Sequence, residues 1–260
     1  MKRILIIAGS DSGGGAGIQA DIKTVTVLGG YAMTAITALT AQNTQGVQAV
    51  YPIPPDFITQ EITSVMDDIG ADCIKTGMLH STEVIEAVAD ALQAHAPDIP
   101  LVLDPVMIAK GGAPLLQPKA VETLKRRLLP RATLITPNIP EAELLTGLKI
   151  TDPDSAEEAG NVLCAMGAGA VLVKGGHLPG KKITNTLVHR DNTQFFMTTR
   201  YETPHTHGTG CTLAAAIATG IAQQNTLESA VEAAIAYVDG AIRHAPGLGH
   251  GHGPLNHNWR

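Results

Sequence analysis

The segment Thr206-His207-Gly208-Thr209-Gly210-Cys211-Thr212 runs straight into Leu213-Ala214-Ala215-Ala216-Ile217-Ala218. The alanine-rich run is a strong helix former, so a helix begins at a glycine turn. Its first backbone N–H groups point outward without intrahelical acceptors, and the helix dipole adds partial positive charge there. Such a nest is an anion site. A phosphoryl group in flight spreads charge over its oxygens, which the nest can stabilise. Cys211 lies in that first turn. A helix N-terminus lowers a thiol pKa, which would let Cys211 accept the proton of an attacking hydroxyl. A small residue packing its helix against a sheet fits the same spacing equally well.

Phosphoryl transfer leaves the protein mainly positioning and charge to supply. Three further segments offer suitable groups. Asn138-Ile139-Pro140-Glu141 has capping spacing, with Asn138 at the N-cap and Glu141 three residues on. The same spacing allows Glu141 to approach a hydrated magnesium ion, since Mg²⁺ keeps several waters. Asp104 precedes Pro105, as a turn residue or a second acid for the metal. Lys174 ends an apolar run, as a solvated strand end or a partner for nucleotide phosphates.

A second glycine-rich segment, Gly9-Ser10-Asp11-Ser12-Gly13-Gly14-Gly15-Ala16-Gly17, carries five glycines in nine residues. It lacks the GK[ST] ending of a Walker A loop. Gly15-x-Gly17-x-x-Ala20 loosely matches a dinucleotide fingerprint, which also wants an acid about 20 positions on for the ribose. No Asp or Glu occurs from Ile22 to Pro55, so a nicotinamide oxidoreductase is a weak alternative. So many glycines favour close approach of the backbone to a ligand. Asp21, on the following helix, is either a solvated helix charge or a contact to ligand nitrogens. His205 and His207 form one HxH pair and His250 and His252 another. Neither has a third ligand at suggestive spacing, so both read as loop residues.

The elements that must position these groups show as short apolar runs alternating with helical patterns. Ile4–Ala8, Leu101–Leu103, Thr133–Thr136 and Ala170–Lys174 read as buried strands. Ile18–Leu28, Ile58–Asp68, Thr82–His95, Lys119–Leu129, Ser155–Met166, Thr209–Gln223 and Leu227–His244 read as helices. Alternation of this kind predicts an α/β fold with a parallel sheet covered on both faces. Residues 178–203 are polar and β-prone, as in an edge hairpin. The expectation is one domain over residues 1–260. Open α/β sheets bind ligands at the carboxyl ends of their strands, where Ser10–Gly17, Asp104–Met107, Pro137–Glu141 and Lys174–His177 all fall.

Composition narrows the function further. Net charge is −6, and no basic run exceeds Lys125–Arg127, which argues against nucleic acid as a partner. Cys73, Cys164 and Cys211 are far apart and form neither a disulfide framework nor a zinc site by spacing. The apolar stretch Ile4–Ala8 is too short for a signal-peptide core, and no apolar run approaches the ~18 residues of a membrane span. A soluble, cytoplasmic protein is expected.

In chain order, the segments Ala8–Asp21 (AGSDSGGGAGIQAD), Leu39–Gly46 (LTAQNTQG), Lys75–Leu79 (KTGML), Leu103–Lys110 (LDPVMIAK), Thr136–Leu145 (TPNIPEAELL), Val173–His177 (VKGGH), His207–Ala214 (HGTGCTLA) and Gly251–His257 (GHGPLNH) resemble the hydroxymethylpyrimidine and hydroxymethylpyrimidine-phosphate kinases of thiamine biosynthesis. That family is part of the ribokinase-like superfamily, and the resemblance covers essentially the whole chain. It implies a ribokinase-like α/β/α sandwich with a central, mostly parallel sheet, often a homodimer. It implies ATP as phosphate donor, Mg²⁺, and 4-amino-5-hydroxymethyl-2-methylpyrimidine and then its monophosphate as acceptors. By the same resemblance, Asp21, Gln42, Met78 and Val106 surround the pyrimidine, and Gly208, Thr209, Gly210 and Cys211 form the anion hole with Cys211 as base. Asp104, Asn138 and Glu141 organise magnesium and phosphates, with Lys174 beside the transferred phosphate and Thr209 beside the nucleotide. A pyridoxine or pyridoxal kinase on the same scaffold is the alternative within enzymes. A binding module without chemistry leaves the clustered acids and the glycine turn without a purpose.

Overall fold

A computed structural model describes residues 1–107, 115–190 and 192–260. The apolar runs become strands β1 (Arg3–Asp11), β5 (Leu101–Leu103), β6 (Leu134–Ile135) and β7 (Ala170–Val173). Three strands not evident from apolar runs join them: β2 (Tyr31–Asn43), β3 (Gly46–Pro52) and β4 (Cys73–Thr76). The edge hairpin expected across 178–203 is β8 (Lys182–His189) and β9 (Asn192–Thr199). The sheet runs β3-β2-β1-β4-β5-β6-β7-β8-β9. Its centre, from β2 to β7, is parallel, and the β3, β8 and β9 pairings are antiparallel.

Helices α1 (Gly17–Val27), α2 (Pro55–Asp68), α3 (Thr82–His95), α4 (Pro118–Arg127), α6 (Pro153–Ala165), α7 (Thr209–Ala222) and α8 (Leu227–Arg243) match the helical patterns to within a few residues. The capping spacing at Asn138 opens the short α5 (Ile139–Thr146).

The continuous apolar character of β1 follows from its burial on both faces. Ile4, Ile6 and Ala8 pack with Ile18, Val25, Leu213, Ile217, Val231 and Val238 of α1, α7 and α8. Leu5 and Ile7, pointing the other way, pack with Ile58, Ile62, Ile85, Leu92 and Leu124 of α2, α3 and α4. Helices on both sheet faces make the expected α/β/α sandwich, and the parallel strands deliver their carboxyl ends to one edge. The part of the Leu103–Lys110 motif from Ile108 onward lies outside the described residues.

Candidate active site

The loops that follow β1, β4, β5, β6 and β7 open onto a cavity of about 750 Å³. On its floor, Lys174 Nζ lies 2.9 Å from Asp104 Oδ1, and Thr136 Oγ1 donates to the same oxygen at 3.1 Å. Burial opposes charge on Asp104, but Lys174 and then Lys75 hold its carboxyl below the usual range. Burial likewise opposes charge on Lys174, and Asp104 followed by Glu141 holds the ammonium above its ordinary value.

Asn138 and Glu141 form a complete capping box on α5. Asn138 Oδ1 accepts from Glu141 N at 3.0 Å, and Glu141 Oε2 accepts from Asn138 N at 2.8 Å. Burial pushes the Glu141 carboxyl up to about 7, against the pull of Lys174 and helped by repulsion from Asp104. Two buried acids that repel one another suit a cation. Asp104 directs Oδ1 to Thr136 and Lys174, while Oδ2 lies 3.7 Å from where a Cβ on Gly210 would stand. This pair fits a magnesium ion held largely through waters and phosphate oxygens.

Helix α7 starts at Gly208, whose φ of 84° is the left-handed conformation that favours glycine. A Cβ at Gly208 would run into Gly15 O. Gly210 faces the charged floor instead, with its Cβ direction 3.3 Å from Lys174 Nζ. Gly208, Thr209, Gly210 and Cys211 all line the cavity, so the anion nest and the Lys174–Asp104 pair confront each other. The Cys211 thiol departs from the lowered pKa expected at a helix N-terminus. Burial pushes it up to about 11, with Lys75 and the Gly17 N–H opposing and Asp21 and Asp104 adding to the rise. Desolvation beside two acids outweighs the helix end.

Gln42, Met78 and Val106 line the same cavity, whereas Asp21 does not. Asp21 is not a solvated helix charge either. It is fully buried 2.7 Å from the equally buried Lys75 Nζ, and its Oδ1 has no hydrogen-bond partner among the described residues. Lys75 in turn sits behind the wall at Gly77, its Nζ 3.0 Å from where a Cβ there would stand.

The first glycine loop folds around its own aspartate. The N–H groups of Gly13, Gly15 and Ala16 go to the Asp11 carboxylate, at 2.8, 3.0 and 2.8 Å. A Cβ at Gly15 would come within 2.5 Å of His207 Cδ2, and one at Gly17 (φ 55°) would meet Gly9 O. Gly15 and Gly17 thus permit close approach to protein atoms, while Gly9, Ala16 and Gly17 also line the cavity. His207, read from sequence as a loop residue, puts Nε2 2.9 Å from Asp11 Oδ2 and 3.2 Å from Gln42 Nε2. An Asp heading a glycine turn is an Asx-turn signal that marks Asp11. Nothing local marks the far cavity wall, lined by Thr198 of β9, Tyr201 just beyond it, and Val238 and Ile242 of α8.

A helix N-terminus set against a Lys–Asp pair, at the carboxyl edge of a parallel sheet in an α/β/α sandwich, defines a ribokinase-like fold. The family model for phosphomethylpyrimidine kinase matches residues 11–256. The chain belongs to the phosphomethylpyrimidine kinase family. The hydroxymethylpyrimidine/phosphomethylpyrimidine kinase of Haemophilus influenzae is 49% identical over 261 residues, 99% of this chain and 97% of that one. A thiamine biosynthesis bifunctional protein of Geobacter sulfurreducens is 51% identical over 254 residues, 98% of this chain, and the chain spans about half (52%) of its length. Among solved structures, the ADP complex of Bacillus subtilis pyridoxal kinase superposes with a TM-score of 0.91 at 37% identity, covering 99% of this chain and 97% of that one.

Proposed function

We propose that this chain transfers the γ-phosphoryl group of ATP to the hydroxymethyl oxygen of 4-amino-5-hydroxymethyl-2-methylpyrimidine, and a second phosphoryl group to the resulting monophosphate. The observation that carries the reading is the α7 N-terminus facing the Lys174–Asp104 pair across one cavity. The pyrimidine sits against Gln42, Met78 and Val106. Asn138 and Thr209 meet the nucleotide phosphates, and the β9–α8 wall takes the base. A bond forms from the hydroxymethyl oxygen to the γ-phosphorus, the bond from that phosphorus to its bridging oxygen breaks, and ADP leaves. Lys174 and the N–H groups of Gly208 to Cys211 stabilise the charge that develops. The hydroxyl proton goes to Cys211 as thiolate, a small fraction of the thiol given its raised pKa. A magnesium ion held by Asp104 and Glu141 would neutralise phosphate charge when bound.

In this reading the chain is one domain, acts in the cytoplasm and pairs as a homodimer. Among the described residues no helix is long and apolar enough to cross a membrane. Leu39 of β2 and its cross-strand neighbour Tyr51 of β3 are both exposed, an apolar pair that supports self-association. The close superposition on pyridoxal kinase supports a second reading, pyridoxal or pyridoxine as acceptor. Mass analysis of products formed with ATP and magnesium from each acceptor separates the two. Mono- and diphosphate from the pyrimidine are expected; phosphate on pyridoxal alone would move the activity to the B6 vitamers.

A further inference from the structure

Asp11, His207, Gln42, Thr40 and Ser10 form one chain of hydrogen bonds at the cavity edge, and only one direction of that chain keeps two donors from facing each other. Asp11 receives three backbone N–H groups. It is therefore an ionised acceptor, and the ring nitrogen 2.9 Å away must carry a hydrogen. His207 Nε2 is thus a donor, its single hydrogen directed at Asp11 and shared with the Gln42 group beside it. The Gln42 amide end 3.2 Å from that nitrogen cannot be its NH₂ group, because two donors would face each other. At the other end, Thr40 Oγ1 has a single hydrogen, which goes to Ser10 O at 2.8 Å. The Gln42 atom 3.1 Å from Thr40 Oγ1 must then donate. Both constraints call for the same half-turn of the amide, whose two ends have nearly the same shape. The amide oxygen faces His207 and the NH₂ faces Thr40. The Gln42 backbone is held as well, since Ser12 Oγ donates to its carbonyl at 2.9 Å and accepts its N–H at 2.8 Å.

We infer that His207, backed by Asp11, and Thr40 are positioning residues that lock the Gln42 amide in one direction and so set which ring edge the cavity accepts. The locked amide leaves one N–H on the Thr40 side and one oxygen lone pair on the His207 side. An aminopyrimidine edge, with a ring-nitrogen acceptor beside an amino donor, meets both, as a glutamine reads adenine. A 4-oxo ring, with N–H beside C=O, presents the opposite order. An amide free to turn could read either ring, so the lock is what discriminates. This inference rests on the pyrimidine reading of the cavity.

The test measures kcat and KM of the full-length protein with the 4-amino substrate and its 4-oxo analogue, in wild type, His207→Leu, His207→Gln and Thr40→Val. Wild type should favour the amino ring. His207→Leu should raise KM for the amino ring about tenfold with kcat nearly unchanged, and lower the amino-to-oxo ratio of kcat/KM about tenfold. His207→Gln should recover most of the ratio, because its side-chain NH₂ can serve both Asp11 and Gln42. Thr40→Val cuts the other end of the chain and should lower the ratio even if His207→Leu does not fold. An unchanged ratio in the folded variants overturns the inference while leaving the kinase reading intact. A wild type with no turnover of the amino ring sinks the pyrimidine reading and this inference together.

Discussion

A thiol at a helix N-terminus is ordinarily activated, yet Cys211 is surrounded by enough protein and enough acid to remain a thiol at neutral pH. If it takes the substrate proton, turnover should track its thiolate. The rate should then rise with pH, up to about tenfold per unit, while pH stays below about 11. Cys211→Ala should lower kcat by about 10² or more with nucleotide affinity retained, and the residual rate should lose that rise. A variant as fast as wild type would leave the thiol a packing role only. Glu141 has two roles that one substitution separates. Gln keeps the capping box but removes the charge. Glu141→Gln should therefore melt within about 1 kcal/mol of wild type, while the magnesium concentration for half-maximal rate rises several-fold. A large loss of stability with unchanged magnesium dependence would make Glu141 a cap alone.

Two glycines two residues apart, Gly208 and Gly210, do different work at the start of α7. Gly208 has no room for a Cβ because Gly15 O occupies that place, and its φ is left-handed. Gly210 points its Cβ direction at Lys174 and Asp104 in the cavity. Gly208→Ala should thus cost several kcal/mol, since strain and a backbone clash coincide (about 1–3 kcal/mol for the strain alone). Gly210→Val should fold normally by circular dichroism and lose activity by filling the anion nest. If Gly210→Val keeps normal turnover, phosphate does not sit there. The α7 start was legible in sequence because glycine turn and alanine run abut, and α5 because its capping box is local. Strands β2 and β4 were not. The β2 segment is rich in Ala and Thr rather than Val and Ile, so no apolar run announces it. In β4, a lysine sits mid-strand among four residues that are all buried. Lys75 reads as solvent-facing until Asp21, 54 positions earlier, supplies the countercharge. Burial of Asp21 and the pairing of His207 with Asp11, 196 positions apart, were hidden for the same reason. Periodicity reports a residue's own polarity, whereas a buried charge depends on a partner that only the tertiary fold brings up.

At the scale of the whole molecule, the C-terminal segment closes the structure over α7 and α8. His257 is buried, with Nε2 3.0 Å from Thr212 Oγ1 of α7, and its carbonyl accepts from the Tyr237 hydroxyl of α8 at 2.6 Å. Farther back along the segment, His252 N donates to Thr44 O at the β2–β3 turn, and His207 N donates to Gly253 O. The tail therefore ties the glycine loop before α7 to the β2–β3 turn. Burial, and then the nearby Lys23 charge, push the His257 imidazole from its ordinary 6.5 down to about 4. A depressed folded pKa means that the unfolded chain binds the proton more readily. The stability from neutral His257 is then complete above about pH 6.5 and drains away as pH falls toward 4. By pH 5 the loss from this one group should be about 2 kcal/mol. Urea unfolding at pH 7.5 and pH 5 should show that difference in wild type and a smaller one in His257→Gln, which keeps a polar partner for Thr212 but cannot titrate. Equal pH sensitivity in the two proteins would mean that His257 is solvated in solution, and that the tail does not seal α7 as the packing implies.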